Sequence, residues 1–321
     1  VVKSARNHSW TNRRGTAPAD VLVVLVIVVV GTLLLCLAVV RWRSDARDAT
    51  CRQHLSRIGE ALRLHDQTTG HLPPLDPPPS QSAMSGPLAR LLAGLGQYDL
   101  DGMTPGAKSS PARREGAPGP ARTIPGLLCP EDPESRRTSA LAPTSYRACA
   151  GAGTDATDGA FRAGTPRSLA QIEAADGALY TSLFSERLLG TGQTSGSDDR
   201  RDYEVGPLTE TARGPWPRHI DAGFRWDRGT WQDALYNHAE RPGQGPSRIE
   251  PDGHRARLSA GSGHRAGVHV LRADGSVGVV TPRVDLEVWR RLGNVGTGRS
   301  DHTDASEKVP AAGSGNVGEQ P

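Results

Sequence analysis

The chain has 321 residues, of which 36% are hydrophobic and only 4% aromatic, with 38 glycines and 25 prolines. That composition limits it to one or two lean cores with many turns and irregular stretches. The formal charge of +3 does not point to nucleic acid. Lys3, Arg6, Arg13 and Arg14 stand in the first fifteen residues without an acid, and beyond them 34 basic residues face 35 acidic ones. A body so balanced excludes the broad basic surface that nucleic-acid binding needs.

Val21 to Val40 is a run of twenty residues without a charge, VLVVLVIVVVGTLLLCLAVV. As a helix rising 1.5 Å per residue it spans about 30 Å, the hydrocarbon thickness of a bilayer. Lipid offers backbone amides no partner, so the run is expected to be helical despite its β-branched valines. It exceeds the ~7–15 apolar residues of a cleaved secretory signal. It also continues into Arg41-Trp42-Arg43 rather than a small-residue cleavage site, which reads as an uncleaved anchor.

Ahead of the run stand Arg13-Arg14-Gly15, then Thr16-Ala17-Pro18-Ala19-Asp20. A lone carboxylate at the mouth of a membrane helix is costly without a partner, although the helix dipole favours an acid there. These residues together resemble a prepilin leader: basic residues, a glycine at the cut, an acid at the fifth mature position, then the apolar run. The resemblance implies that a prepilin peptidase cuts after Gly15 and methylates the new amine of Thr16. It also implies that Asp20 pairs with that amine on a neighbouring subunit. Thr16 takes the place of the usual Phe or Met, and Asp20 that of the usual Glu.

Beyond the anchor, Ala46, Ala49, Leu55, Ile58, Leu62 and His65 recur at helical spacing, which predicts a helix over Ser44 to Gln67 that stops at Gly70 and Pro73-Pro74. Pro87 to Tyr98 reads as a short helix, and residues 104–122 as a flexible loop. Short strands are expected near Ala178–Glu186, Gly223–Trp226 and Val268–Val280. In the last of these, two β-rich runs flank Asp274-Gly275, a tight-turn pair. Val268 and Val270 should share one face, His269 and Leu271 the other. Val284 to Leu292 predicts a helix with Leu286, Trp289 and Leu292 inward and with Trp226 and Trp231 nearby. The expected organisation is a leader over 1–15, an anchor helix over 16–43, a head over 44–293 and a disordered tail over 294–321.

Six blocks carry a wider resemblance. They are Cys51-Arg-Gln-His-Leu-Ser-Arg-Ile-Gly-Glu-Ala-Leu62 with Gly70-His-Leu-Pro-Pro74, Leu128-Cys-Pro-Glu-Asp-Pro133, Thr144-Ser-Tyr146, Asp176-Gly177 with Leu183-Phe-Ser-Glu186, Leu235-Tyr-Asn-His238, and His264 followed after nine residues by Asp274-Gly275. In this order they resemble the prepilin-anchored bacterial proteins that bear an H-x9-DG signature domain of unknown function, abundant in planctomycete-type bacteria. The resemblance implies an α+β, pilin-like fold: a long N-terminal helix packed on an antiparallel sheet with long loops. It implies a single-pass protein of the bacterial inner membrane, N-terminus cytoplasmic and head periplasmic. The blocks that hold Cys51 and Cys129 make these two the first choice for a disulfide; Cys149 is then free or competes for Cys129.

For chemistry, the signature residues His264, Asp274 and Glu186 could form a catalytic or metal set. In the sequence, however, no nucleophile or close ligand cluster accompanies them. The plainer expectation gives Asp274 a turn, His264 a loop hydrogen bond and Glu186 an arginine partner. Asp99, Asp101, Asp155 and Asp158 sit in acid-glycine turns that could hold calcium but lack a full ligand count. The reading is thus a membrane-anchored pilin- or pseudopilin-like envelope protein with a structural or secretion-related role. No catalytic residue, resident metal or other cofactor is expected; its partners are the membrane, the prepilin peptidase and a homo- or hetero-oligomeric assembly. The alternative is a membrane-tethered extracytoplasmic hydrolase or carbohydrate-binding module exported by the prepilin route.

Overall fold

The computed structural model describes residues 18–75, 85–92, 94–95, 123–136, 142–162, 164–193, 198–209 and 214–296. The loop expected over 104–122 and the tail beyond residue 296 lie outside these, as do Gly15, Thr16, Asp99 and Asp101. The chain divides into two compact units between Ala46 and Arg47, three residues beyond the expected junction.

In the first unit, helix α1 (Pro18–Thr69) carries the apolar run. The described side chains from Leu22 to Arg43 are all exposed, among them Leu25, Ile27, Leu34 and Leu37. The helix is long and apolar enough to cross a membrane. The one hydroxyl of the apolar run is accounted for internally, since Thr32 Oγ1 donates to the Val28 carbonyl at 2.7 Å. Such a surface meets what lipid demands: no polar group left unpaired and no charge within the span.

The second unit is α+β. Besides the outer part of α1 it holds α2 (Pro87–Leu91), α3 (Leu169–Ala175), α4 (Trp231–Ala234) and α5 (Leu286–Gly293). Its strands are β1 (Tyr146–Cys149), β2 (Ser182–Glu186), β3 (Tyr203–Val205), β4 (Arg218–His219), β5 (Leu235–Tyr236), β6 (Arg248–Ile249), β7 (Ala256–Arg257), β8 (Val268–Arg272) and β9 (Val277–Val280). They form a five-stranded sheet ordered β5-β1-β2-β8-β9 and a four-stranded sheet ordered β4-β3-β6-β7. Neither is purely antiparallel, against the sequence expectation: β1 pairs in parallel with β5, and β3 with β6. Long connections between these partners allow it, because parallel neighbours need a crossover and not a hairpin.

The five-stranded sheet is covered on both faces, and strand alternation sorts the residues. Tyr146, Ala148, Phe184 and Leu271 join Cys51, Leu55, Ile58 and Leu62 of α1 in the larger core. Cys149, Tyr236, Val268, Val270 and Val280 face the other way and pack with Trp289 of α5. Helix α1 approaches closely, since a Cβ at Gly59 would sit 3.0 Å from Leu271 Cδ1. It ends at Gly70, whose φ of 80° suits a residue without a side chain.

The β8–β9 hairpin forms with the expected facing. Asp274 Oδ1 accepts from Ser276 N and Oγ, and Gly275 takes φ 89°. Other expectations shift. Of the helix predicted over Pro87–Tyr98, Pro87–Leu91 forms and Leu92, Gly94 and Leu95 are in turns, with Gly94 against Ala61 of α1; residues 93 and 96–98 lie outside the described residues. No strand forms over Gly223–Trp226: Gly223 takes φ 77° in a turn, leaving a single bridge between Arg225 and Ala142. Trp226 and Trp231 pack in the α1-side core, separated by the sheet from Trp289. Asn294–Gly296, placed in the tail by composition, is anchored: Val295 is buried and its N–H reaches the Asp158 carbonyl at 2.7 Å.

Candidate functional site

The first outer turns of α1 present Asp48, Cys51, Arg52 and Leu55 at spacings of three and four, so one face carries all of them toward the sheet. Opposite stand Glu186 at the end of β2 and His269 on β8, each on the strand face that turns to α1. Two loops complete the group. Cys129 opens the Cys-Pro-Glu-Asp-Pro element, which the buried Asp132 locks in place. Asp132 accepts from Leu189 N at 2.8 Å and from Arg201 Nη1 at 2.6 Å. His264 precedes β8 in a glycine-rich loop. A Cβ at Gly263 would fall 2.6 Å from the Glu131 carbonyl, so glycine is what lets the two loops touch.

The resulting contacts are short. Cys51 Sγ and Cys129 Sγ lie 2.6 Å apart, both as thiols, and His264 Nε2 is 3.4 Å from Cys129 Sγ. His264 Nε2 stands 3.3 Å from Glu186 Oε1, and its Nδ1 3.6 Å from Asp48 Oδ1. Glu186 Oε2 accepts from the His269 backbone N–H at 3.0 Å and from its Nδ1 at 3.2 Å. On the far side of that ring, Nε2 lies 3.0 Å from Asp48 Oδ1 and 3.2 Å from Arg52 Nε, and Arg52 pairs with Asp48 at 2.8 Å.

Electrostatics follow from this packing. Burial opposes charge on His264, but the neighbouring Cys51 sulfur and Glu186 carboxylate outweigh it and raise the imidazole to about 10. Burial would likewise raise Glu186, yet His264 and His269 hold it well below the usual carboxylate range. In the thiol pair, the hydrogen bond from Cys129 lowers Cys51 to about 6 against the pull of burial, and Cys129 is raised by the same bond. The dominant form is therefore an imidazolium between two carboxylates, beside a thiol that shares its proton with a thiolate-prone neighbour.

Several sequence expectations change here. Glu186 is partnered by two histidines and not by an arginine. His264 binds side chains rather than only a loop. Asp274 stays in its exposed turn, so the three signature residues do not converge as a set. A ligand cluster does exist: the donor atoms of Cys51, Cys129, Glu186 and His264 all lie within 4.8 Å of one another. Short-range spacing could not show it, because four separate segments supply one donor each. Asp48 and His269 were missed as well; the helical spacing of Asp48 from Cys51 and the shared strand face of His269 and Leu271 were the available signals. The cleft beside the group, lined by Cys129, Asp132, Ser145, Glu186, Gly261 and Gly263, is too narrow to admit water.

Other singled-out residues lie apart from this group. Cys149 lies on the opposite sheet face from the thiol pair, where burial pushes it up to about 12. His238 stacks on Trp289 with ring centroids 3.5 Å apart, and burial lowers it to about 3, so it packs neutral. The Asp155 and Asp158 carboxylates serve their own loop, accepting from Thr157 Oγ1 and Gly153 N.

A family model described as a protein of unknown function (DUF1559) matches residues 41–287. No curated protein matches the chain. No solved structure does either.

Proposed function

The chain belongs to the DUF1559 family, and we propose that it serves as a membrane-anchored, pilin- or pseudopilin-like envelope protein whose role is structural and associative. One observation carries the reading: the apolar stretch of α1 from Leu22 to Val40 is exposed at every described side chain. An exposed apolar run of that length has no place in water and matches a bilayer. The leader is cut after Gly15, the stem holds the head outside the inner membrane, and Asp20 pairs with the Thr16 amine of a neighbour. In that oxidising compartment Cys51 and Cys129 close into a disulfide across 78 positions, worth about 2–4 kcal/mol.

The geometry around His264 and Glu186 supports this reading over a tethered hydrolase. Both residues are engaged by neighbours, and the cleft beside them has no room for an attacking water. Mass spectrometry of the mature N-terminus tests the processing step. Thr16 first, with or without a methyl group, is the expected result; an intact leader removes the prepilin route. Crosslinking in membranes tests assembly: self-association should depend on Asp20, and an Asp20→Ala chain that crosslinks as before would reduce the stem to an anchor.

A further inference from the structure

The four donors that meet behind the sheet are two sulfurs, an imidazole nitrogen and a carboxylate oxygen, the mixture that borderline divalent ions prefer. They come from α1, the loop after α2, the end of β2 and the loop before β8, so the group ties four segments at one point. Glu186 supplies a second, independent sign. Its Oε2 takes two hydrogen bonds from His269, whereas Oε1 is buried and accepts none. His264 Nε2 is 3.3 Å from Oε1 but off the line of a hydrogen bond. A buried carboxylate oxygen without a donor is costly, and a cation at the centre of the four donors would satisfy it. Behind the imidazole, Asp48 stands 3.6 Å from His264 Nδ1, the position of the carboxylate that orients a metal-bound histidine.

We propose that, when Cys51 and Cys129 are reduced, these two thiolates with His264 and Glu186 bind one zinc-class divalent ion as a closed structural site. Binding releases to solvent the thiol protons and the Nε2 proton of the His264 imidazolium, whose neutral ring then coordinates through Nε2. The sulfurs, 2.6 Å apart in the thiol form, move apart by about 1 Å to take two corners of a tetrahedron with metal–sulfur bonds near 2.3 Å. Disulfide formation is the competing state. An envelope disulfide carrier accepts the two electrons and two protons as a pair of thiols, Cys51 and Cys129 become bonded, and the site loses two of its four ligands. The same pair thus gives a metal-stapled reduced head and a disulfide-stapled oxidised one. The inference concerns the head alone and stands apart from the prepilin reading.

Cobalt titration of the full chain in detergent, purified anaerobically with reductant, is the test. One cobalt per chain is expected, with a sulfur-to-cobalt charge-transfer band and the intense visible absorption of a tetrahedral site, both lost when zinc is added. Cys129→Ser should abolish the charge-transfer band or weaken it with binding, and His264→Gln should cost at least about tenfold in affinity. Asp274→Ala, in the exposed turn, should bind as before. The oxidised chain, lighter by two hydrogens, should take up cobalt only after reduction. Should Cys129→Ser fail to fold, the wild-type stoichiometry and Glu186→Gln still decide. Reduced wild type that takes up no cobalt, or uptake indifferent to Cys129 and His264, overturns the proposal.

Discussion

One helix, α1, lives by two different rules along its length. From Leu22 to Val40 it is apolar on every side and exposed on every side; from Cys51 to Leu62 only one face is apolar, and that face is fully buried. Both stretches satisfy their backbone internally, so hydrogen bonding does not distinguish them. What differs is the neighbour each surface requires. The first is exposed along its whole described length and calls for a low-polarity solvent. The second interlocks with Phe184, Tyr146 and Leu271 and carries Asp48 and Cys51 into a polar cluster between helix and sheet. Helix formation alone therefore says little about function; the periodicity of its surface says more.

Substitutions at matched positions can break this contrast. Leu55→Ala should lower head stability by about 2–5 kcal/mol through lost burial and the cavity left, measured by chemical unfolding, whereas Leu34→Ala should leave the head's unfolding unchanged. Equal losses at both sites would mean that the apolar half packs on protein. Placing a charge at the middle of the apolar run, Val30→Arg, should cost about 2.5–3.5 kcal/mol in membrane insertion and shift the chain toward the soluble fraction. Full retention in the membrane would put the span elsewhere.

The polar cluster offers a finer test. His264 is raised to about 10 from an ordinary 6.5, so its charge contributes stability that is complete below pH 6.5 and is lost as pH climbs to about 10. Metal-free, reduced protein should therefore weaken across that window, and His264→Gln should flatten the slope while lowering stability at pH 6.5. A parallel pH profile in the variant would deny the ion pair. The smallest effect is expected at the tip of the packed half, where Arg63 Nη2 donates to the Asp274 carbonyl at 3.0 Å. Arg63→Ala should cost under about 1 kcal/mol in thermal unfolding; a larger loss would make the signature turn a principal anchor of the helix.

Much of the framework was legible because it rests on local patterns. The apolar run, the three-and-four spacing after it, the Asp274-Gly275 hairpin and the Trp289 helix all use periods that a short window contains. The site was legible only in its parts. Resemblance paired Cys51 with Cys129 and singled out His264 and Glu186, but nothing local joined the two thiols to the other two residues. Asp274 takes the turn expected of it, because β8 carries it away from His264 to the far end of the strand.

By itself, the sequence determined where α1 is uniformly apolar and where it is one-faced, since those are properties of side chains at helical spacing. The tertiary structure decided that the one-faced part meets a mixed sheet covered on both sides. It also decided that His264, Glu186 and the two thiols share a point while Cys149 lies across the sheet from them. The physical reason is range: periodicity encodes which face a residue takes, but only chain packing fixes which distant faces meet.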